Sequence, residues 1–167
     1  MTKNKIQIYT DGAAKGNPGN AGWGAIILNY ELGITNCKIT EIGGRKDHAT
    51  NNQMELTGPI EALKYLKKYC VRQDLTQENL SVEIISDSKY VILGITEWIF
   101  NWQKNNWRNA AKKPVLNREL WEELYLLVKD SKIKWTYVKG HNNDKWNERA
   151  DEIATSFADG NPVELKK

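Results

Sequence analysis

Four carboxylates stand out by their surroundings: Asp11, Glu55, Asp87 and Asp151. Asp11 and Asp87 each close a short apolar run, Ile6 to Thr10 and Val82 to Ser86, that reads as a strand. In α/β sheets, ligands gather beyond the carboxyl ends of strands. Taken singly, each acid has a plainer explanation. Asp11-Gly12 is a good hairpin-turn pair, and Asp87 could cap the helix that follows it. Glu55 stands three residues after Asn52, the spacing of a capping box, and Asp151 would suit a solvated helix face.

Taken together, they describe a different chemistry. Two acids at neighbouring strand ends repel each other unless a cation lies between them. If the two helical acids enter the same edge, the cluster suits Mg²⁺ or Mn²⁺, which favour carboxylates, water and phosphate oxygens. It is a poor zinc site, because only His48 and His141 are available and Cys37 and Cys70 form no CxxC pair. The net charge of +3 is also unevenly spread. Residues 101–118 hold five cations (Lys104, Arg108, Lys112, Lys113 and Arg118) and no acid, leaving 19 cations against 21 acids elsewhere. Trp98, Trp102 and Trp107 are interleaved with that basic segment. Localised positive charge among tryptophans points to a polyanion with sugar or base surfaces, and the plainer alternative is a solvated helix face above core tryptophans. A carboxylate metal site beside such a segment implies phosphoryl chemistry on a nucleic acid backbone.

The elements that must position these residues follow from periodicity. Strands are expected at Ile6 to Thr10, Trp23 to Leu28 and Thr35 to Ile42, with a glycine-rich loop after the first (Gly12, Gly16, Gly19). A helix is expected over Asn52 to Tyr69 despite Pro59, then a strand over Val82 to Ser86 and a helix opened by Asp87-Ser88. Helix Asn117 to Val128, strand Ile133 to Val138 and a helix from Lys145 complete the order. The last helix would bury Trp146, Ala150, Ile153 and Phe157. The expected fold class is therefore α/β, an antiparallel meander extended by parallel strands joined through helical crossovers. With 167 residues, 40% of them hydrophobic and 27% charged, the chain reads as a single domain over 1–167 rather than a disordered segment. Mean hydropathy is −0.64, and neither a membrane-length apolar run nor a secretion-type leader is visible, so a cytoplasmic protein is expected.

The motifs add a family. Tyr9-Thr10-Asp11-Gly12 with Gly16-Asn17-Pro18-Gly19 and Gly22-Trp23-Gly24 resembles the opening of type 1 ribonuclease H. Thr50 to Leu56 resembles that family's second motif, Ser86 to Val91 its third, and Lys139-Gly140-His141 with Asn147 to Asp151 its last. The resemblance runs in order over nearly the whole chain and includes a basic protrusion at about residues 98–114. It implies a ribonuclease H-like fold with a five-stranded mixed sheet flanked by helices. The implied activity is hydrolysis of the RNA strand of RNA–DNA hybrids by two-metal-ion catalysis, leaving 5′-phosphate and 3′-hydroxyl ends.

Residue by residue, the resemblance implies that Asp11, Glu55, Asp87 and Asp151 hold two Mg²⁺ ions, with Mn²⁺ as a substitute and Asp11 as the bridging ligand. His141 would assist water activation or product release, since histidine exchanges protons near neutral pH. Asn143 stands where the family often has glycine. Ala14, Gly16, Asn17, Asn51 and Asn52 would read the RNA strand through its 2′-hydroxyls. Trp98 and Trp102 would pack deoxyribose, and Thr50 and Asn117 would form the DNA phosphate pocket. Lys104, Arg108, Lys112 and Lys113 would make salt-sensitive phosphate contacts. Lys89 stands where relatives often have a neutral residue.

The expected partner is an RNA–DNA hybrid, and the expected state a monomer without a membrane. No separate amino-terminal hybrid-binding domain is expected, because the first strand begins within a few residues of Met1. Two other classes compete: a non-catalytic nucleic-acid-binding module on the same fold, and an integrase-like or resolvase nuclease. The complete set of four acids weighs against the first, and the protrusion and Gly140-His141 loop against the second.

Overall fold

A computed structural model describes residues 4–31, 37–72 and 77–167 of the chain. Five strands form one sheet in the order β3-β2-β1-β4-β5. They span Asn4–Gly16 (β1), Gly19–Tyr30 (β2), Lys38–Ala49 (β3), Leu80–Ser86 (β4) and Ile133–Tyr137 (β5). The first three pair antiparallel, whereas β1–β4 and β4–β5 are parallel, as the helical crossovers require. Helices span Asn51–Arg72 (α1), Lys89–Leu93 (α2), Ile99–Lys104 (α3), Arg118–Val128 (α4) and Lys145–Ala158 (α5), with a π-helical turn at Gly94–Trp98 between α2 and α3.

Strand β2 explains the layering. Its residues Ala25, Ile26, Ile27 and Leu28 are all buried, because both faces of the sheet are covered. Ala25 and Ile27 pack with Ile6, Ile8 and Ile84 against Leu56, Ile60 and Leu63 of α1, Val91 of α2 and Trp121 and Leu124 of α4. Ile26 and Leu28 face Ala150 and Ile153 of α5 on the other side. The expected buried face of α5 is thus realised, with Trp146 and Phe157 half-buried at its margin.

Several boundaries differ from the expectations. The first strand does not turn at Asp11-Gly12; Asp11 pairs with Gly24 and the ladder runs on to Gly16 opposite Gly19. The turn lies instead at Asn17-Pro18, where the peptide bond is cis. Strand β3 starts at Lys38, Thr35 lies outside the described residues, and Gly43-Gly44 do not end the strand because they pair with Gly24 and Trp23. Helix α1 runs through Pro59 to Arg72, with Pro59 itself buried. Asn117 is not within a helix: it precedes α4 in a left-handed conformation at φ 61. The basic protrusion is a helix–loop unit whose return is fixed by an isolated bridge between Arg108 and Pro114. Among the described residues, no helix is long and apolar enough to cross a membrane.

Candidate active site

Three carboxylates converge at the edge where β1 continues past the end of β4. Asp11, Glu55 and Asp87 each offer an oxygen lying within 4.8 Å of the other two. The convergence has local causes. Thr10 of β1 pairs with Ser86, the last residue of β4, so Asp11 on β1 and Asp87 just past β4 directly follow a paired row. Gly12 then lets α1 press against β1, since a Cβ there would fall 2.5 Å from the Glu55 backbone nitrogen.

The plainer roles of the acids are taken by other residues. At the start of α1 the Thr50 N–H donates to Gln53 Oε1 at 2.9 Å, and the Gln53 N–H donates to Thr50 Oγ1 at 3.1 Å. That is a reciprocal capping box one turn ahead of Glu55, so the expected Asn52–Glu55 box is not formed. Ser88, not Asp87, caps α2 by accepting from the Val91 N–H. Asp144 caps α5 by accepting from the Trp146 and Asn147 N–H groups. The site acids are left unemployed by secondary structure.

Their environment is costly for negative charge. Asp11 is 5% exposed and Glu55 6%, so neither is well hydrated. Burial, and then the neighbouring Asp87, push the Asp11 carboxyl up to about 8. Burial and Asp11 push Glu55 well above the usual carboxylate range. The Gly12 N–H, which donates to Asp11 Oδ1 at 3.0 Å, offsets only part of the cost. Glu55 Oε2 is buried with no protein partner. This donor set is oxygen-rich, crowded and short of positive charge, which fits a divalent cation with hard-ligand preference.

Asp151 does not join the three within that distance, although its charge acts on Asp11 from half-buried α5. The same helix reaches the cluster through Asn147, whose Nδ2 donates to Asp87 Oδ2 at 3.3 Å. Asn147 is 2% exposed, and its role was missed in the sequence because a motif position alone does not say which neighbour it meets. Gly140 was missed likewise: a Cβ there would fall 2.9 Å from Asp87 Oδ2. His141 follows it in an exposed turn at φ 55, and Asn143 adopts φ 60, a left-handed geometry that asparagine tolerates.

The remaining expected contacts fall into two groups. Asn17 Oδ1 accepts from the Asn51 N–H at 3.0 Å, which ties the β1–β2 turn, with Ala14 and Gly16 leading into it, to Asn51 and Asn52 at the start of α1. Thr50 is engaged in the capping box of that helix. On the other side, Trp102 packs against Trp98, Trp107 and Trp121 with ring centres 6.0, 6.2 and 5.3 Å away. Trp98 and Trp102 line a groove of about 270 Å³ together with Asn101, Asn105 and Arg108. Tyr90 is a further member: its hydroxyl accepts from Asn117 Nδ2 and from Trp121 Nε1, both at 3.1 Å. Lys104, Arg108, Lys112 and Lys113 are exposed, and among the described residues none is paired with a carboxylate.

A family model described as RNase H matches residues 3–159. Ribonuclease H of Zymomonas mobilis subsp. mobilis is 48% identical over 158 residues, covering 94% of this chain and 91% of its own. Ribonuclease H of Thermosynechococcus vestitus is 43% identical over 159 residues, covering 95% and 92%. Among solved structures, LC9-RNase H1, a type 1 RNase H, superposes with a TM-score of 0.82 at 24% identity, over all of this chain and 79% of that one, and bears on the fold alone. LC11-RNase H1, solved in complex with RNA/DNA hybrid, superposes with a TM-score of 0.68 at 25% identity over 93% of this chain and 97% of that one.

Proposed function

The chain belongs to the ribonuclease H family, and from that premise we propose that it is an endoribonuclease that cuts the RNA strand of RNA–DNA hybrids as a cytoplasmic monomer. The observation that carries the reading is the trio Asp11, Glu55 and Asp87, two of them buried, with oxygens within 4.8 Å of one another. These three, with Asp151, would hold Mg²⁺, two ions per site when substrate is bound, or Mn²⁺ in its place. The chemistry supplied by bound divalent ions is neutralisation of charge on the attacking and departing oxygens, consistent with 5′-phosphate and 3′-hydroxyl products.

The chain's own groups do the rest. Asn147 donates to the Asp87 carboxylate, and Gly140 leaves room for it where a Cβ would intrude. His141, exposed beside Gly140, assists water activation or product release. Ala14, Gly16, Asn17, Asn51 and Asn52 receive the RNA strand at the turn and helix start that the Asn17–Asn51 hydrogen bond joins. Trp98 and Trp102 receive the DNA strand, where a 2′-hydroxyl would crowd the aromatic face, with Thr50 and Asn117 at its phosphate. Lys104, Arg108, Lys112 and Lys113 add sequence-independent attraction. The hybrid seen with LC11-RNase H1 supports this choice of substrate.

The test is Asp11→Asn. Cleavage of a labelled hybrid is expected to vanish while binding to the hybrid survives. Near-normal turnover in that variant refutes the assignment.

A further inference from the structure

Helix α5 meets the acids on one flank and is tied down on the other. Asn147 and Asp151, one turn apart, share a face of the helix, and Asn147 Nδ2 donates to Asp87 Oδ2 at 3.3 Å. Arg149 lies two residues from each, roughly 200° around the helix axis. It turns away from the acids: its Nε and Nη2 both donate to the carboxylate of Glu41 on the edge strand β3. Glu41 is buried and also accepts from the Lys166 N–H near the end of the chain. Strands β3 and β4 stand three strand spacings apart, roughly 14 Å, so α5 bridges the sheet between two polar anchors.

Between those anchors the contacts are apolar. Ala150 and Ile153 pack on Ile26 and Leu28, and a Cβ at Gly24 would fall 2.8 Å from Ile153, so α5 rests close on β2. Apolar burial holds the helix down without fixing its direction. A guanidinium fork on a buried carboxylate is directional, and it sets the rotation of α5 about its own axis. Asp151 lies outside the 4.8 Å trio, so its approach to the other acids depends on how the helix is turned. Resting on the metal role proposed for Asp151, we infer that Glu41 and Arg149 are positioning residues of the metal site, holding Asp151 and Asn147 towards the sheet-edge acids, with the chain's final segment as part of the clamp.

Calorimetric titration of the full chain with Mn²⁺, without substrate, tests this. Glu41→Gln is expected to weaken Mn²⁺ binding on the order of tenfold. Arg149→Lys, which keeps the charge but loses the fork, is expected to do the same with less risk to folding. Lys166→Pro removes only the N–H that Glu41 accepts and is expected to weaken binding by a smaller factor. Arg45 donates to the Phe157 and Ala158 carbonyls at the far end of α5, so Arg45→Gln is expected to lower the melting temperature and leave Mn²⁺ affinity as it was. Hybrid affinity in chelator is expected to stay native in all four variants, and raised Mg²⁺ to restore turnover in Arg149→Lys. Native Mn²⁺ affinity in Arg149→Lys, or equal weakening in Arg45→Gln, overturns the inference. Mn²⁺ bound by Asp151→Asn as tightly as by the native chain refutes the underlying reading of Asp151, and the inference with it.

Discussion

Arg149 on α5 grips Glu41 on the edge strand β3 in a two-pronged ion pair, with Nε 2.6 Å from Oε2 and Nη2 2.9 Å from Oε1. The carboxylate is 2% exposed and also accepts from the Lys166 N–H at 3.0 Å. The Glu41 N–H returns a hydrogen bond to the Lys166 carbonyl at 2.8 Å, and Arg149 Nη2 donates to the Glu164 carbonyl. One buried acid thus fastens both the helix that carries Asn147 and Asp151 and the chain's final segment, which packs the half-buried Val163 and Leu165 against α5 and β2. The Arg149 guanidinium holds the Glu41 carboxyl below its ordinary range.

Removing that acid leaves the half-buried guanidinium with only the more exposed Glu152, 3.1 Å away, and the Glu164 carbonyl as partners. Glu41→Ala is expected to cost about 2–3 kcal/mol. Urea unfolding of the variant against the native chain measures this, and a loss under about 0.5 kcal/mol would reduce the pair to a surface contact.

The capping box at α1 separates stability from chemistry. Gln53→Ala breaks the bond to the Thr50 N–H and is expected to cost about 1 kcal/mol while cleavage continues. Glu55→Gln is expected to do the reverse, abolishing cleavage without loss of stability, because the amide relieves a crowded acid. Steady-state cleavage and melting temperature of the two variants distinguish the roles; loss of activity in Gln53→Ala with native stability would contradict this division.

Gly140→Ala places a methyl 2.9 Å from Asp87 Oδ2. Displacement of that carboxylate is expected to slow turnover on the order of tenfold to a hundredfold with hybrid affinity nearly unchanged. Single-turnover cleavage at saturating substrate is the measurement.

The acid cluster also sets a pH dependence for the metal-free protein. Asp11 and Glu55 titrate above their ordinary range when folded, Asp11 at about 8, so the folded state binds more protons than the unfolded one in between. Their contribution is therefore present below pH about 4 and is lost as pH rises towards 8. In chelator, the melting temperature is expected to fall over that interval, and Asp11→Asn to flatten the curve. A melting temperature that rises across the interval contradicts the raised values.

The sheet edge was legible because strand ends and helix starts in an α/β order limit where Asp11, Glu55 and Asp87 can meet. The boundaries near them were less so, for physical reasons. Residues 50–55 contain two overlapping capping-box spacings, Thr50/Gln53 and Asn52/Glu55, and the helix that starts at Asn51 uses the first. Asp11-Gly12 has the composition of a turn, yet pairing with Gly24 and Trp23 carries the strand onward. Glu41 and Arg149 lie 108 residues apart, a pairing that no local pattern encodes.

The central claim is metal-dependent cutting of RNA opposite DNA. One labelled RNA strand, presented in RNA–DNA, RNA–RNA and single-stranded forms with and without Mg²⁺, tests it most directly. The expected result is cleavage of the hybrid alone, only with the metal, giving 5′-phosphate and 3′-hydroxyl ends. Equal cutting of all three forms, or cutting of the hybrid in chelator, would contradict it.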